Sequence, residues 1–221
     1  MQEKRINVLD HGYIEFIDHL GGDDMVVKAA RISYESEYDE SKNEKLIELL
    51  FKLGHESPFE HVVFTFRIKA PIFVARQWMR HRISSINERS GRYTKFNAND
   101  VYVPDENRSD GNSSKFKDFY SQAFAVYSEL LLTTDKEVAR LVLPVSTYTE
   151  WYWTINARSL MNFLKLRADS QAQYEIRQYA INIAKIFKEI CPLTYKYFIK
   201  YSYKGTVLEY WLNLSSGEMG G

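Results

Sequence analysis

Four arginines crowd one short stretch of this sequence. Arg80-His81-Arg82-Ile83-Ser84-Ser85-Ile86-Asn87-Glu88-Arg89-Ser90-Gly91-Arg92-Tyr93 sets Arg80, Arg82, Arg89 and Arg92 against a single acid, Glu88. A guanidinium is planar, always charged, and carries five donors in a fork that matches phosphate oxygens. The chain as a whole is neutral, with 29 basic and 29 acidic side chains. A basic cluster in a neutral protein points to a phosphorylated small molecule rather than to polyanions in general. Ser90 adds a hydroxyl, Glu88 an acceptor for ribose hydroxyls or an imide N–H, and Gly91 a backbone that a ligand can approach closely.

The element leading into this stretch is expected to be a helix from Pro71 to about Arg82, with proline at its first position. On its wheel Ile72, Ala75 and Met79 share one side, and Gln77, Arg80 and His81 share the other. That polar side is either a solvated face or a ligand-facing one. A second helix, Asn156 to Ala168, carries Arg158, Asn162 and Leu166 along one line. Its apolar arc of Leu160, Phe163 and Leu164 encloses Arg167. Two explanations are open for this arginine: it complements the C-terminal helix dipole, or it meets a buried anionic or imide ligand.

Several other chemistries do not fit. His55-Glu56 is followed by a proline, and the next histidine is His61, so a helical two-histidine zinc site fails. No nucleophile elbow surrounds Ser90. Neither a G-x-G-x-x-G after a strand nor a P-loop occurs. Cys191, the only cysteine, closes an apolar helix face (Ile183, Ile186, Phe187, Ile190) and reads as a core residue.

At 221 residues, 45% hydrophobic and 15% aromatic, the chain can bury a substantial core. Residues 1–214 are expected to form one domain and 215–221 a frayed tail. No apolar run reaches membrane-spanning length and no signal-peptide core opens the chain, so a soluble cytoplasmic protein is expected.

Ile6 to Asp10 reads as a strand, and the Gly21 to Asp24 turn as leading into a helix through Arg31. Ser41 to Glu44 reads as a capping box for a helix stopped by Gly54. His55 to His61 reads as a loop, and His61 to Ala70 as an alternating strand. Asn97 to Lys115 reads as a surface loop with a short strand at Val101–Val103. Phe116 to Leu132 reads as a helix, and Thr134 to Glu137 as a capping box for a short one. Thr147 to Ile155 reads as an aromatic-rich strand. Ser170 to Gln173 is expected to cap a helix to Ile190, with a last helix after Pro192. The class is α/β or α+β, with a small sheet flanked by long helices.

Arg80-His81-Arg82, seven intervening residues, then Ser90, together with Asn87-Glu88 and Arg92-Tyr93, resembles the signature of the flavin-dependent thymidylate synthases. His55 to His61, Pro71 to Trp78, Glu137 to Arg140 with Pro144, and Asn156 to Asp169 are similar to further blocks of that family, in order, so that the resemblance spans about Ala29 to Lys200. It implies reductive methylation of dUMP to dTMP. Methylenetetrahydrofolate would give the carbon, FAD would carry the hydride and NADPH would reduce it. A family-specific α/β fold and a homotetramer with sites between subunits are also implied, with no metal.

Carried over, Ser57, Arg80, His81, Arg82, Glu88, Asn156, Arg158 and Asn162 would hold FAD. Gln77, Arg80, Glu88, Arg89, Ser90, Gly91, Arg92, Arg140 and Arg167 would hold dUMP. His55 would lie near flavin and folate. Arg167 would act in catalysis by favouring the N3-ionised uracil. Gln171 stands where the family often has a histidine, and an amide cannot titrate. Rival readings of the same arginines are an RNA-binding module, disfavoured by the neutral charge, and a flavoprotein reduced to NADPH oxidation alone.

Overall fold

The computed structural model describes residues 4–32 and 42–209. Its sheet has five strands, all antiparallel, in the order β1-β2-β3-β5-β4. These are β1 (Lys4–Val8), β2 (Gly12–Leu20), β3 (Val63–Pro71), β4 (Ser85–Glu88) and β5 (Tyr148–Asn156). The helices are α1 (Asp23–Arg31), α2 (Asn43–Leu53), α3 (Ile72–Trp78), α4 (Ser113–Leu130), α5 (Lys136–Ala139), α6 (Ala157–Arg167), α7 (Tyr174–Ile190) and α8 (Pro192–Tyr197). Short 3₁₀ turns occupy Ser57–His61 and Arg140–Val142, and a π-helical turn occupies Phe198–Ser202. The mixed helix-and-antiparallel-sheet class agrees with the sequence reading. No helix among the described residues is long and apolar enough to cross a membrane.

β3 alternates as expected. Phe64, Phe66 and Ile68 are fully buried, while the intervening residues make polar cross-strand pairs. Thr65 bonds Thr154, and Arg67 pairs with both Glu15 and Glu150. β3 runs its whole length along β5, from Val63 opposite Asn156 to Pro71 opposite Tyr148. That register places two exits beside two entrances: Pro71 releases α3 next to the start of β5, and Asn156 releases α6 next to the start of β3. The Asn156 side chain caps α6 as expected, accepting a hydrogen bond from the Ser159 backbone N–H at 2.9 Å.

The structure corrects the sequence reading at several elements. β2 was not foreseen, because a register shift between Phe16 and Asp18 breaks the two-residue period. β4 was not foreseen either, since Ser-Ile-Asn-Glu is a polar edge strand with only Ile86 packed inward. α3 stops at Trp78 rather than Arg82. Val101 forms only an isolated bridge to Thr147, not a strand. α5 is preceded by Asp135 without a side-chain cap, while the Thr134 hydroxyl donates back to the Leu130 carbonyl. Gln173, also without a side-chain cap, precedes α7. Gly54 does end α2, at φ 67°, with its N–H reaching the carbonyls of Leu50 and Phe51. Ser41 and the 215–221 tail lie outside the described residues.

Trp78 is the joint between sheet and helices. Its ring lies 5.3 Å from Trp151 and 5.0 Å from Trp153 on β5, 4.8 Å from Phe163 on α6, and 5.8 Å from Tyr179 on α7. All five are buried. A smaller cluster of Val101, Phe124, Tyr127 and Ala139, joined by Phe96, seats α4 and α5 against the loop after Ser90. Trp78→Ala is expected to cost about 3–5 kcal/mol of stability. Urea unfolding measures this, and a loss under ~1 kcal/mol would mean the joint is dispensable.

Candidate active site

The basic stretch opens where α3 stops. The His81 N–H closes a turn onto the Trp78 carbonyl at 3.0 Å, and the residues that follow enter β4. This geometry sends the arginines to two different clefts, which share no lining residue.

The first cleft has a volume of about 540 Å³. Arg80, His81 and Arg82 line it from the turn after α3, and Asn156, Arg158, Asn162, Lys165 and Arg167 line it from β5 and α6. Glu56 and Glu60 close the opposite rim. Five cations thus face two carboxylates, and both carboxylates are committed to Arg158. Its Nε donates to Glu56 at 2.9 Å and its Nη1 to Glu60 at 2.5 Å. Arg80, Arg82, Lys165 and Arg167 carry the cleft's surplus positive charge. Six of the eight residues expected at the flavin are here: Arg80, His81, Arg82, Asn156, Arg158 and Asn162.

Arg167 is half-buried, and its side chain reaches away from its own helix. It donates from Nε to the His81 Nε2 at 3.1 Å and from Nη2 to the Gln77 carbonyl at 3.0 Å. Its partners therefore lie across on α3 and the turn beyond. Three N–H donors remain for a ligand. Burial and the Arg80 charge both push its pKa down, yet a guanidinium stays protonated. His81 is buried against the edge of Phe163, with ring centroids 5.0 Å apart. Burial, then the Arg167 charge, pushes its pKa down to about 4. The imidazole is therefore neutral at pH 7, with its proton on Nδ1 and the Nε2 lone pair facing Arg167.

The second cleft, of about 630 Å³, is lined along α3 by Ile72, Ala75 and Arg76. Glu88, Arg89, Ser90, Gly91 and Arg140 line it together with Arg76, Phe96 and Thr149. Glu88 is oriented by the Thr149 hydroxyl, which donates to Oε1 at 2.7 Å. The loop is tightly closed. The Thr94 hydroxyl donates to the Ser90 carbonyl at 2.9 Å, and Arg89 donates to the Thr94 hydroxyl at 2.9 Å and the Lys95 carbonyl at 2.5 Å. Gly91 is needed for a reason the sequence did not suggest: a Cβ there would lie 2.6 Å from Phe96 Cε2 and 3.3 Å from Arg140 Cδ. A ring and an arginine, rather than a ligand alone, approach its backbone.

The residues expected around the nucleotide are therefore divided. Glu88, Arg89, Ser90, Gly91 and Arg140 share the second cleft, but Arg80 and Arg167 line the first. Gln77 lines neither, and its amide donates to Gln173 at 2.6 Å. Arg92 is exposed and donates to Glu137 at 2.7 Å, outside both linings. Glu88, expected at the flavin as well, lines only the second cleft. His55 and Ser57 are exposed on the segment that carries Glu56 and Glu60, without lining the first cleft. Gln171 is exposed and lines neither cleft.

The sequence reading missed Glu56, Glu60, Arg76, Phe96, Thr149 and Lys165. Two of these carried a usable signal. Arg76 stands four residues before Arg80, and Lys165 stands seven after Arg158, near the Arg158–Asn162 line.

The sequence model of the family described as "Thymidylate synthase complementing protein" matches residues 15–193. A flavin-dependent thymidylate synthase of Thermotoga neapolitana is 54% identical over 213 residues, covering 92% of this chain and 98% of its own. One from Pseudothermotoga lettingae is 51% identical over 216 residues, covering 92% and 97%. The crystal structure of a UMP/dUMP methylase, PolB from Streptomyces cacaoi, bound with 5-Br dUMP, superposes with a TM-score of 0.83. It is 35% identical and covers 90% of this chain and 99% of its own. With two arginine-lined clefts that share no lining residue and a family match over most of its length, the chain belongs to the thymidylate synthase complementing protein family, that of the flavin-dependent thymidylate synthases.

Proposed function

We propose that this protein is a flavin-dependent thymidylate synthase that makes dTMP from dUMP. The balance is dUMP plus methylenetetrahydrofolate plus NADPH and a proton, giving dTMP, tetrahydrofolate and NADP⁺. The reading rests most heavily on one observation: the turn after α3 divides a run of arginines between two clefts, each suited to a different phosphorylated ligand.

The first cleft suits FAD. Arg80, Arg82 and Lys165 offer donors to a pyrophosphate. Arg158, already fixed between Glu56 and Glu60, is preoriented and loses little side-chain freedom on binding. Asn156 and Asn162 supply amides for ribityl or heterocycle contacts. Bound there, FAD supplies the hydride-carrying redox chemistry that no side chain has.

The second cleft suits the nucleotide. Arg140 and Arg76, with the Ser90 hydroxyl, are assigned to the phosphate. Glu88, held by Thr149, is assigned to the sugar hydroxyls. Arg167 is assigned to the uracil, where its guanidinium stabilises negative charge as it develops on the pyrimidine, a preorganised electrostatic effect. The PolB structure supports this choice of ligand, since that relative is bound with 5-Br dUMP.

One dUMP can meet both Arg167 and the Glu88 to Arg140 group if the first cleft of one copy faces the second cleft of another. A homotetramer with sites between subunits provides this, with residues 1–214 as the catalytic domain and the cytoplasm as its location. Leu141 and Val145, 77% and 64% exposed, line the second cleft, and exposed apolar side chains there favour a protein partner. Across such an interface His55 and Ser57 reach flavin and folate. An RNA-binding role is less well supported, because the arginines sit in clefts of a neutral chain rather than along a basic face.

The purified protein is expected to be yellow and to form dTMP from dUMP, methylenetetrahydrofolate and NADPH. NADPH oxidation without dTMP would instead favour the oxidase reading. Arg167→Ala is expected to lower kcat by roughly 100-fold or more with flavin absorbance retained; unchanged dTMP formation would remove its assigned role. Arg140→Ala is expected to weaken dUMP binding by roughly 10-fold or more, read by titrating the flavin spectrum, without loss of FAD. Loss of FAD with intact dUMP affinity would reverse the assignment of the two clefts.

A further inference from the structure

We infer that His81 is a positioning residue for Arg167: its neutral imidazole holds the guanidinium in the orientation the pyrimidine requires, in addition to whatever contact it makes with flavin. The inference rests on the role assigned to Arg167 above and deepens it.

The geometry has three parts. Arg167 is clamped at two points, Nε on the His81 Nε2 at 3.1 Å and Nη2 on the Gln77 carbonyl at 3.0 Å. Two bonds in one plane fix the rotation of the guanidinium about its stem, which one bond does not do. Both acceptors come from the same short segment, the end of α3 and the turn after it, so they move as one body. His81 is itself locked. Its backbone N–H donates to the Trp78 carbonyl, its carbonyl accepts from the Ser84 hydroxyl at 2.9 Å, and its ring rests on Phe163. The positioning chain therefore runs from the aromatic joint at Trp78 through His81 to the guanidinium.

The choice of side chain follows from charge. Arg167 touches this ring, and Arg80 and Arg82 on its own turn and Arg158 and Lys165 on α6 line the same cleft. Glu56 and Glu60 stand across the cleft and are already bonded to Arg158. A cation at position 81 would be repelled, and a carboxylate would neutralise the guanidinium. A neutral acceptor holds Arg167 and leaves its charge available. Burial and the Arg167 charge keep His81 in that form by lowering its pKa to about 4. As pH falls toward that value the ring gains a proton, Nε2 becomes a donor, and the bond to Arg167 is lost. The arrangement is therefore intact above this window and fails below it.

The test compares His81→Gln with His81→Asn, alone and combined with Arg167→Ala, using the flavin-saturated protein. A glutamine oxygen can stand where Nε2 stands, whereas an asparagine oxygen reaches only the Nδ1 position. His81→Asn is expected to lower kcat by roughly 10- to 100-fold with little change in the KM for dUMP. His81→Gln is expected to recover most of that loss and to flatten the acid limb of the kcat profile. The double variant His81→Asn/Arg167→Ala should be no slower than Arg167→Ala alone.

Independent, multiplying losses in the double variant would overturn the inference, as would equal losses in His81→Gln and His81→Asn. Unchanged turnover in Arg167→Ala would instead overturn the role of Arg167 itself, so the two failures are distinguishable. Nitrogen chemical shifts of His81 report the state directly: an unprotonated Nε2 at pH 6 is expected, and a protonated one there contradicts it.

Discussion

The contact of Trp78 with Trp151, Trp153 and Phe163 fixes the end of α3, and the functional geometry follows from that end. A buried indole of this size gains most of its stabilisation from the apolar area it removes from water. With Trp78 packed against both the sheet and α6, the next residues cannot continue the helix into the core. They turn outward, and Arg80, His81 and Arg82 line the first cleft. The chain then enters β4 as an edge strand along β5, which carries Glu88, Arg89, Ser90 and Gly91 to the second cleft. The β3–β5 pairing supplies the rest. It sets Asn156, and hence α6, near the segment before β3, so that Arg158 meets Glu56 and Glu60.

Charge placement is the second constraint. A neutral chain concentrates cations in two clefts and disposes of the competing acids by pairing. Glu56 and Glu60 are committed to Arg158, Glu88 is held by Thr149, and Glu137 is held by Arg92. Exposed pairs of this kind add little to stability, typically 0–1 kcal/mol. Their effect here is to orient Arg158, Glu88 and Arg92. Among the described residues, Arg76, Arg80, Arg82 and Arg140 line the two clefts without such a carboxylate partner. Arg167 differs in being held by neutral acceptors, which preserves its full charge.

Much of the site could be read in the chain. The spacing of Arg158 and Asn162, the Asn156 cap, the odd place of Arg167 in an apolar arc, and Arg80-His81-Arg82 all lie within local sequence. The alternation of β3 and the Gly54 stop were equally legible, because each depends on residues a few positions apart. What could not be read depends on distant partners. β2 is hidden by its bulge, and β4 is too polar to announce itself. The premature end of α3 is imposed by Trp78 meeting rings more than 70 residues away in sequence. Gly91 answers to Phe96 rather than to a ligand alone. The division of the arginines between two clefts follows from that early helix end.

The central claim is that the two clefts serve one reaction by meeting across a subunit boundary. Mixing subunits tests it most directly. Arg158→Ala impairs only the first cleft and Arg140→Ala only the second, so at limiting FAD and dUMP each variant alone should be strongly impaired. Unfolded together in equal amounts and refolded with FAD, they should recover about a quarter of the wild-type sites, the share in which both halves are intact in a symmetric assembly. A mixture as impaired as its parents, despite demonstrated subunit exchange, would contradict the account by placing each complete site within a single chain.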